Sequence, residues 1–314
     1  MAGNHAANPI NKVSFMRLIT HTDLDGVACA VLITTVEQVD EIKFIDPGTI
    51  QAGKITISEN DIMADLPFDA RAGLWFDHHE SSKPPAGKKF EGMFRIAPSA
   101  ARVVYEYYEN PYLEKYQTLV EETDKIDSGQ VTLEQVTNPT GLFLLSNTLE
   151  TSAPKAEDDH YRRHVISLLR KKSIEETLLD LRVKERCSKV LGEFEIFKKI
   201  IRENTVMIGK VAFSDLRQRP DLPRGNNFLI YSLFPGAVTS VRIQPLDEDK
   251  DHVKISAGHN IYGKKSEFNV GEAMKRIGGG GHKPVGGASV AKDAAHELAM
   301  RIVKEINDFE EKQG

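Results

Sequence analysis

The chain has 314 residues, 40% hydrophobic and 28% charged, with a formal net charge of −5. That balance suits one large or two ordinary globular domains, and it excludes a disordered polymer or a uniformly basic nucleic-acid coat protein. The longest nearly unbroken apolar run, Gly26–Ile33, is too short to cross a bilayer. Cys29 and Cys187 are too few for a disulfide framework or a thiolate zinc site.

The opening "MAGNHAANPINK" lacks a basic start leading into an apolar core, so a cytoplasmic protein with no secretory signal is expected. Charge is divided unevenly. Residues 1–204 hold 25 Lys+Arg against 32 Asp+Glu, a balance of −7, and residues 205–314 hold 16 against 14, a balance of +2. An acidic part able to take divalent cations thus precedes a mildly basic part able to meet an anion.

In chain order, "FMRLIT" reads as a buried strand and 25–38 as a helix, with Asp25 near its start. "EIKFID", "DIMADL", "GLWFD" and "MFRIA" follow as short apolar runs that each end in turn or polar residues. Strands alternating with helical segments predict a parallel sheet, whose ligands bind at the carboxyl ends of the strands. From about 99 to 203 the pattern is helical. Ser173 and Glu176 are spaced as a capping box before a long connecting helix that is broken once. Strand-like runs return at "TVMIGKVAFS", "AVTSVRIQP", "HVKISAG" and "GGASVA". A helix is expected near 269–277 and another over 292–309. The whole predicts an α/β protein: an N-terminal parallel-sheet domain, a helical linker and a second, smaller α/β domain.

Chemistry-bearing residues gather at the expected strand ends. In "HTDLDG", His21, Asp23 and Asp25 alternate directly after the first strand, a spacing that aims all three to one side. Asp65 ends the third run, and Asp77, His78 and His79 end the fourth. Burying the last three together without partners would cost several kcal/mol. "EETDKIDSG" adds Asp124 and Asp127, which read equally as caps of a turn before Gly129. Carboxylates mixed with imidazoles, without thiolates, suit Mn²⁺, Mg²⁺ or Fe²⁺, with Zn²⁺ a further candidate. A two-metal site needs several carboxylates, one of them bridging both ions. Later, "GGGGH" at 278–282 lies inside a domain between a capped helix and a strand. Such a place favours a backbone nest for phosphate oxygens over a flexible linker, with His282 adding a hydrogen bond or charge.

These stretches carry a resemblance. "HTDLDG", "DIMADLP", "DHH" and "TDKIDSG" resemble the four motifs of the DHH phosphoesterase superfamily, and "GGGGH" resembles the signature of its DHH-associated C-terminal domain. The match runs in order over nearly the whole chain. "SAGHNIYGKKSEFNVGE" is most similar to the branch described as exopolyphosphatase-related, beside nano-RNase-like and RecJ-like branches.

The resemblance implies a catalytic metal domain over 1–188, a linker over 189–204 and a substrate-binding domain over 205–314. It implies two Mn²⁺ ions, or Mg²⁺ or another divalent metal, on His21, Asp23, Asp25, Asp65, His78 and Asp124, with Asp65 bridging. The catalytic pair would be His79 and Asp77. Gly280, Gly281 and His282 would hold substrate phosphate, with Arg102 and His259 as further substrate contacts. The residue order in "EETDKIDSG" favours Asp124 over Asp127 as the fourth-motif ligand.

The implied activity is two-metal hydrolysis of a small phosphorylated molecule, either a short oligonucleotide or pAp. An exopolyphosphatase, a cyclic-dinucleotide phosphodiesterase and a non-catalytic nucleotide sensor are the alternatives. No membrane partner is implied, and there is room for a homodimer. Three departures bear on substrate choice: His-x-Asp-x-Asp spacing in the first motif, Val285-Gly286-Gly287 where Ala-Ala-Gly is usual, and "SAGHN" where many relatives carry Ser-x-Arg.

Overall fold

Strand β1 (Arg17–Thr20) leads into helix α1 (Leu24–Val36), which is apolar nearly throughout and buried on all sides from Leu24 to Ile33. A helix without a polar face belongs inside a layered fold, and α1 fills that place. In the computed structural model, residues 15–313 are described, apart from 152, 220, 221, 224, 247, 248, 264 and 265. Next come β2 (Glu41–Phe44), α2 (Pro47–Gln51), β3 (Asp61–Ala64), β4 (Leu74–Asp77) and β5 (Gly92–Phe94). The five strands make one parallel sheet in the order β2-β1-β3-β4-β5. Beneath it, Trp75 is ringed by Phe68, Phe90 and Phe94, and its indole N–H donates to the Leu66 carbonyl at 2.8 Å.

Helices α3 (Ala100–Tyr108) and α4 (Gln117–Asp127) complete this part. Then come α5 (Leu133–Thr137), α6 (Gly141–Ser146), α7 (Lys155–Leu169), α8 (Ile174–Leu178) and α9 (Leu181–Glu203). The Ser173 capping box forms as the spacing predicts, and the long helical run breaks between Leu178 and Leu181. Strands β6 (Thr205–Ile208), β7 (Val211–Asp215), β8 (Thr239–Pro245), β9 (His252–His259), β10 (Gly280–His282) and β11 (Val285–Ala291) follow. With them are α10 (Leu229–Leu233), α11 (Val270–Lys275) and α12 (Ala295–Gln313). These strands form a mixed sheet, β10-β11-β9-β8-β7-β6, with only the β7–β8 pair parallel. One face of it packs Val241, Ile243, Ile255 and Ala288 against α11 and α12.

The chain forms two compact units, 1–130 with 153–180 and 131–152 with 181–314. The two are comparable in length. Helix α9 belongs whole to the second unit, and so do α5 and α6. The 188/189 boundary expected from the sequence falls inside α9. Among the described residues, no helix is long and apolar enough to cross a membrane.

Candidate metal centre

The first unit assembles its polar groups where the strands end. His21 follows β1, and its Nδ1 lies 2.9 Å from Asp23 Oδ2 and 3.4 Å from Asp65 Oδ2. Asp23 caps α1 by accepting from the Gly26 N–H at 3.1 Å. Gly26 is required by packing, because a Cβ there would stand 2.3 Å from the His21 carbonyl oxygen. From α7, the buried Arg162 donates through Nε to the Thr22 carbonyl at 2.6 Å, pinning the turn between His21 and Asp23.

Asp25 is buried and accepts from the Ala100 and Ala101 N–H groups at 2.6 and 2.8 Å. Those are donors at the start of α3 that no helical carbonyl can satisfy. Asp65 follows β3 with φ at 57°, the left-handed region that a non-glycine residue enters at a cost of about 1–3 kcal/mol. Strain of that kind persists where the surroundings enforce it, and here it delivers a carboxylate whose two oxygens are buried without hydrogen-bond partners.

At the end of β4, Asp77 Oδ1 accepts from the His78 and His79 N–H groups at 2.7 and 3.2 Å, and it lies 2.9 Å from His79 Nδ1. His78 Nδ1 is 2.9 Å from the Ala97 carbonyl oxygen, which can only accept. The proton is therefore on Nδ1, and the lone pair on Nε2 is free to bind a cation. That Nε2 is buried without a partner, 3.4 Å from Asp127 Oδ2, 3.7 Å from Asp25 Oδ2 and 3.9 Å from Asp65 Oδ1.

Three sets of donor atoms result, each within 4.8 Å of one another: His21, Asp23 and Asp65; Asp65, Asp77, His78 and His79; and Asp25, His78 and Asp127. Asp65 and His78 each serve in two sets. The electrostatics match a centre short of positive charge. Burial, then the neighbouring carboxylates, push Asp25 and Asp65 well above the usual carboxylate range. Burial and the Asp23 charge lift Asp127 to about 7. Burial would lower His21, but the Asp23 and Asp65 carboxylates overcome it and raise the imidazole to about 10. Burial holds His78 below its ordinary value, the neutral state a ligand needs. Orphaned oxygens, a free imidazole lone pair and mutual repulsion fit divalent cations.

Other residues expected at the site have surroundings of their own. Asp124 was expected among the ligands, yet Ser99 Oγ donates to its Oδ1 at 2.6 Å and Arg102 donates through Nε and Nη2 to its Oδ2 at 2.9 and 2.6 Å. Asp127, three residues on along α4, faces His78 instead. Arg102 is thus paired with Asp124, its side chain partly exposed. In the second unit, His259 shares the sheet face of Ala257 and Ile255, and it is buried there with Nε2 lacking a partner. His282 projects from the opposite face and is exposed, so the sheet separates the two histidines. Gly280, Gly281 and His282 form the edge strand β10, not a free loop. Gly281 is fixed as glycine by φ at 145° and by the Val285 carbonyl oxygen 2.3 Å from where a Cβ would be.

Ser99, Arg162 and the Ala97 carbonyl support this centre without having been read from the sequence. Asp127 lies in the same motif as Asp124, where residue order favours Asp124.

No family model and no curated protein matches the chain. Among solved structures, the pGpG-specific phosphodiesterase PggH from Vibrio cholerae is 31% identical, with a TM-score of 0.79, over 94% of this chain and 99% of that one. An exopolyphosphatase-related protein from Bacteroides fragilis is 11% identical with a TM-score of 0.54, covering 94% of this chain and 93% of its own. RecJ from Thermus thermophilus, solved with Mn²⁺, is 12% identical with a TM-score of 0.56, covering 94% of this chain and 52% of its own. The last two share the fold. With the motif order, the strand-end centre and 31% identity to PggH over 94% of this chain together, the chain belongs to the DHH phosphoesterase superfamily of metal-dependent hydrolases.

Proposed function

We propose that the chain hydrolyses short 5′-phosphorylated oligonucleotides, dinucleotides such as pGpG first among them, with two divalent ions, Mn²⁺ foremost. The observation that carries this reading is the gathering of Asp65 Oδ1, Asp65 Oδ2 and His78 Nε2, all buried without a hydrogen bond, in a chain 31% identical to a pGpG-specific phosphodiesterase. His21, Asp23 and Asp65 would hold one ion, and Asp25, His78 and Asp127 the other, with Asp65 Oδ1 3.9 Å from His78 Nε2. Bound there, divalent ions supply positive charge for phosphoryl oxygens and make water acidic enough to attack near neutral pH.

The remaining work belongs to the chain. Asp77 holds His79 by Nδ1 and, first among the causes, lifts it to about 9, so His79 is a cation at neutral pH. Its half-exposed ring can then donate a hydrogen bond from Nε2 to a phosphoryl oxygen as negative charge builds there. The α3 N-terminus fixes Asp25, and the Ala97 carbonyl fixes the His78 tautomer, so neither reorganises during reaction. Within the second unit, Gly280 and the exposed His282 on the edge strand β10 are proposed as a phosphate-binding element of its own. A cytoplasmic setting is part of the reading, and the two cysteines are buried and free.

The test is a panel of pGpG, di- to pentaribonucleotides, pAp, a cyclic dinucleotide and polyphosphate, assayed with purified protein and Mn²⁺ or Mg²⁺. Highest kcat/KM on a linear 5′-phosphorylated dinucleotide supports the proposal. Preference for polyphosphate or for the cyclic substrate overturns it.

A further inference from the structure

Helix α7 sets its cations to two tasks, both inside the first unit. Lys155 Nζ donates to the Phe44 carbonyl at 2.9 Å, and Arg163 Nη2 donates to the Ile42 carbonyl at 2.7 Å. Ile42 and Phe44 are two apart on β2, the outermost strand of the first sheet, so both carbonyls point away from β1. These two donors close the sheet edge and dock the helix along it.

Arg162 turns inward instead and is 2% exposed. Its guanidinium lies 5.6 Å over the Phe44 ring, and its Nη1 donates to Asp159 Oδ1 at 2.8 Å. On another side of the same plane, Nε donates to the Thr22 carbonyl at 2.6 Å. Thr22 is the residue between His21 and Asp23. The chain is tied before and after it: the Thr20 carbonyl accepts from the Ile45 N–H at 3.0 Å, and the Asp23 carbonyl from the Val27 N–H at 3.1 Å. The rigid Thr22–Asp23 peptide lies between those ties, and the direction of its carbonyl governs how His21 Nδ1 and Asp23 Oδ2 come to lie 2.9 Å apart.

Electrostatics disfavour a cation in this place. A guanidinium carries a fixed positive charge, and it stands behind a turn whose side chains suit a divalent ion. Burying it also costs free energy that Asp159 and the hydrogen bonds must offset. What the guanidinium offers in return is direction, because its donors are fixed in one plane, so Asp159 on one side aims Nε at Thr22 on the other.

We propose that Arg162 is a positioning residue for the first motif. It fixes the His21–Thr22–Asp23 turn and so sets the affinity of the ion on His21, Asp23 and Asp65, without acting on the ion at Asp25, His78 and Asp127. The inference rests on the two-ion reading above.

The test is calorimetric Mn²⁺ titration of the full chain as wild type, Arg162→Met, Arg162→Lys and Arg163→Ala, with Asp23→Asn marking which binding step belongs to the first ion. Charge and position predict opposite signs for Arg162→Met, since losing a cation tightens metal binding and losing the tie weakens it. The first ion's affinity should fall about ten- to a hundredfold while the second stays within about threefold. Arg162→Lys keeps the charge and loses the planar fork, so it should show a smaller loss at the same ion. This variant also decides the matter if Arg162→Met does not fold. Arg163→Ala, which loosens the docking of the same helix, should leave both affinities within about twofold. Unchanged or tighter binding in the Arg162 variants, equal weakening of both ions, or the same loss in Arg163→Ala overturns the inference. If the wild type binds a single ion, the two-ion reading fails, and the sign of the Arg162→Met change in that one affinity judges the positioning role. If it binds none, both fail.

Discussion

Asp127 Oδ2 lies 3.4 Å from His78 Nε2, while Asp124, one turn earlier on the same helix, is held by Arg102 and Ser99. Two carboxylates three residues apart therefore have different work. Asp127→Asn should weaken Mn²⁺ binding about ten- to a hundredfold, the loss of a charged ligand. Asp124→Asn should leave metal affinity within a few fold and lower stability by about 1–3 kcal/mol, because it breaks charge-assisted hydrogen bonds between α3 and α4. Calorimetric metal titration and denaturant unfolding of both variants decide the matter. The reverse pattern would return the ligand role to Asp124.

The Asp77–His79 pair predicts a loss of rate without a loss of metal. His79→Gln removes a cation from beside the phosphoryl oxygens and should lower kcat about 10²- to 10³-fold. Because Nδ1 of His79 is taken by Asp77, metal affinity should change less than about threefold. Steady-state kinetics at saturating Mn²⁺, with a parallel metal titration, test this. Loss of metal in step with rate would make His79 a ligand.

How far the sequence revealed these features follows from the physics of each. The strand-end motifs were legible because a strand's alternation is local, and His21, Asp65 and Asp77 each directly follow an apolar run. The choice between Asp124 and Asp127 was not, since it turns on Arg102 capturing one carboxylate from a different helix. Parity in "HVKISAGH" places His259 on the face of Val253, Ile255 and Ala257, so its separation from the outer face could have been read. The face that His282 takes needed the β10–β11–β9 register, which no local pattern states. Arg242 alternates with Val241 and Ile243 and reads as a surface residue. Its burial depends on Phe197 of α9 and Asn227, brought in from distant sequence. The packing of 131–152 with 181–314 is likewise long-range, and α5 and α6 are too short to signal it.

Gly26 predicts a change that damages stability and metal binding together. An alanine Cβ there would stand 2.3 Å from the His21 carbonyl oxygen, a backbone atom that cannot step aside cheaply. Gly26→Ala should cost on the order of 3 kcal/mol and displace His21 from Asp23 and Asp65. Thermal unfolding and Mn²⁺ titration should both show the loss. Gly280→Ala, where a Cβ would meet nothing within 4 Å, is the control and should leave stability nearly unchanged.

The charge balance of the centre predicts how stability responds to pH and to metal. Without metal, Asp25 and Asp65 hold protons well above the ordinary carboxylate range, chiefly through burial, and Asp127 does so up to about 7. His21 is raised as well, to about 10, because its two carboxylate neighbours outweigh its burial. In all four the folded state binds protons more tightly than the unfolded chain, so stability falls wherever the unfolded state has released them and the folded state has not. For Asp127 that window runs from the ordinary carboxylate value to about 7, and for His21 from about 6.5 to about 10. The signs of these four agree, while His78, lowered by burial, works the other way below about 6.5, so the unfolding temperature of chelator-treated protein should drop between about pH 6.5 and about pH 8.5. Divalent ions replace those protons, so the temperature gained on adding saturating Mg²⁺ or Mn²⁺ should grow over the same range, and metal uptake should release protons into the buffer. Thermal unfolding across the range, with calorimetry in two buffers of different ionisation enthalpy, measures both. If the metal-free protein becomes more stable as pH rises, or metal binds without proton release, then this cluster does not hold the ions.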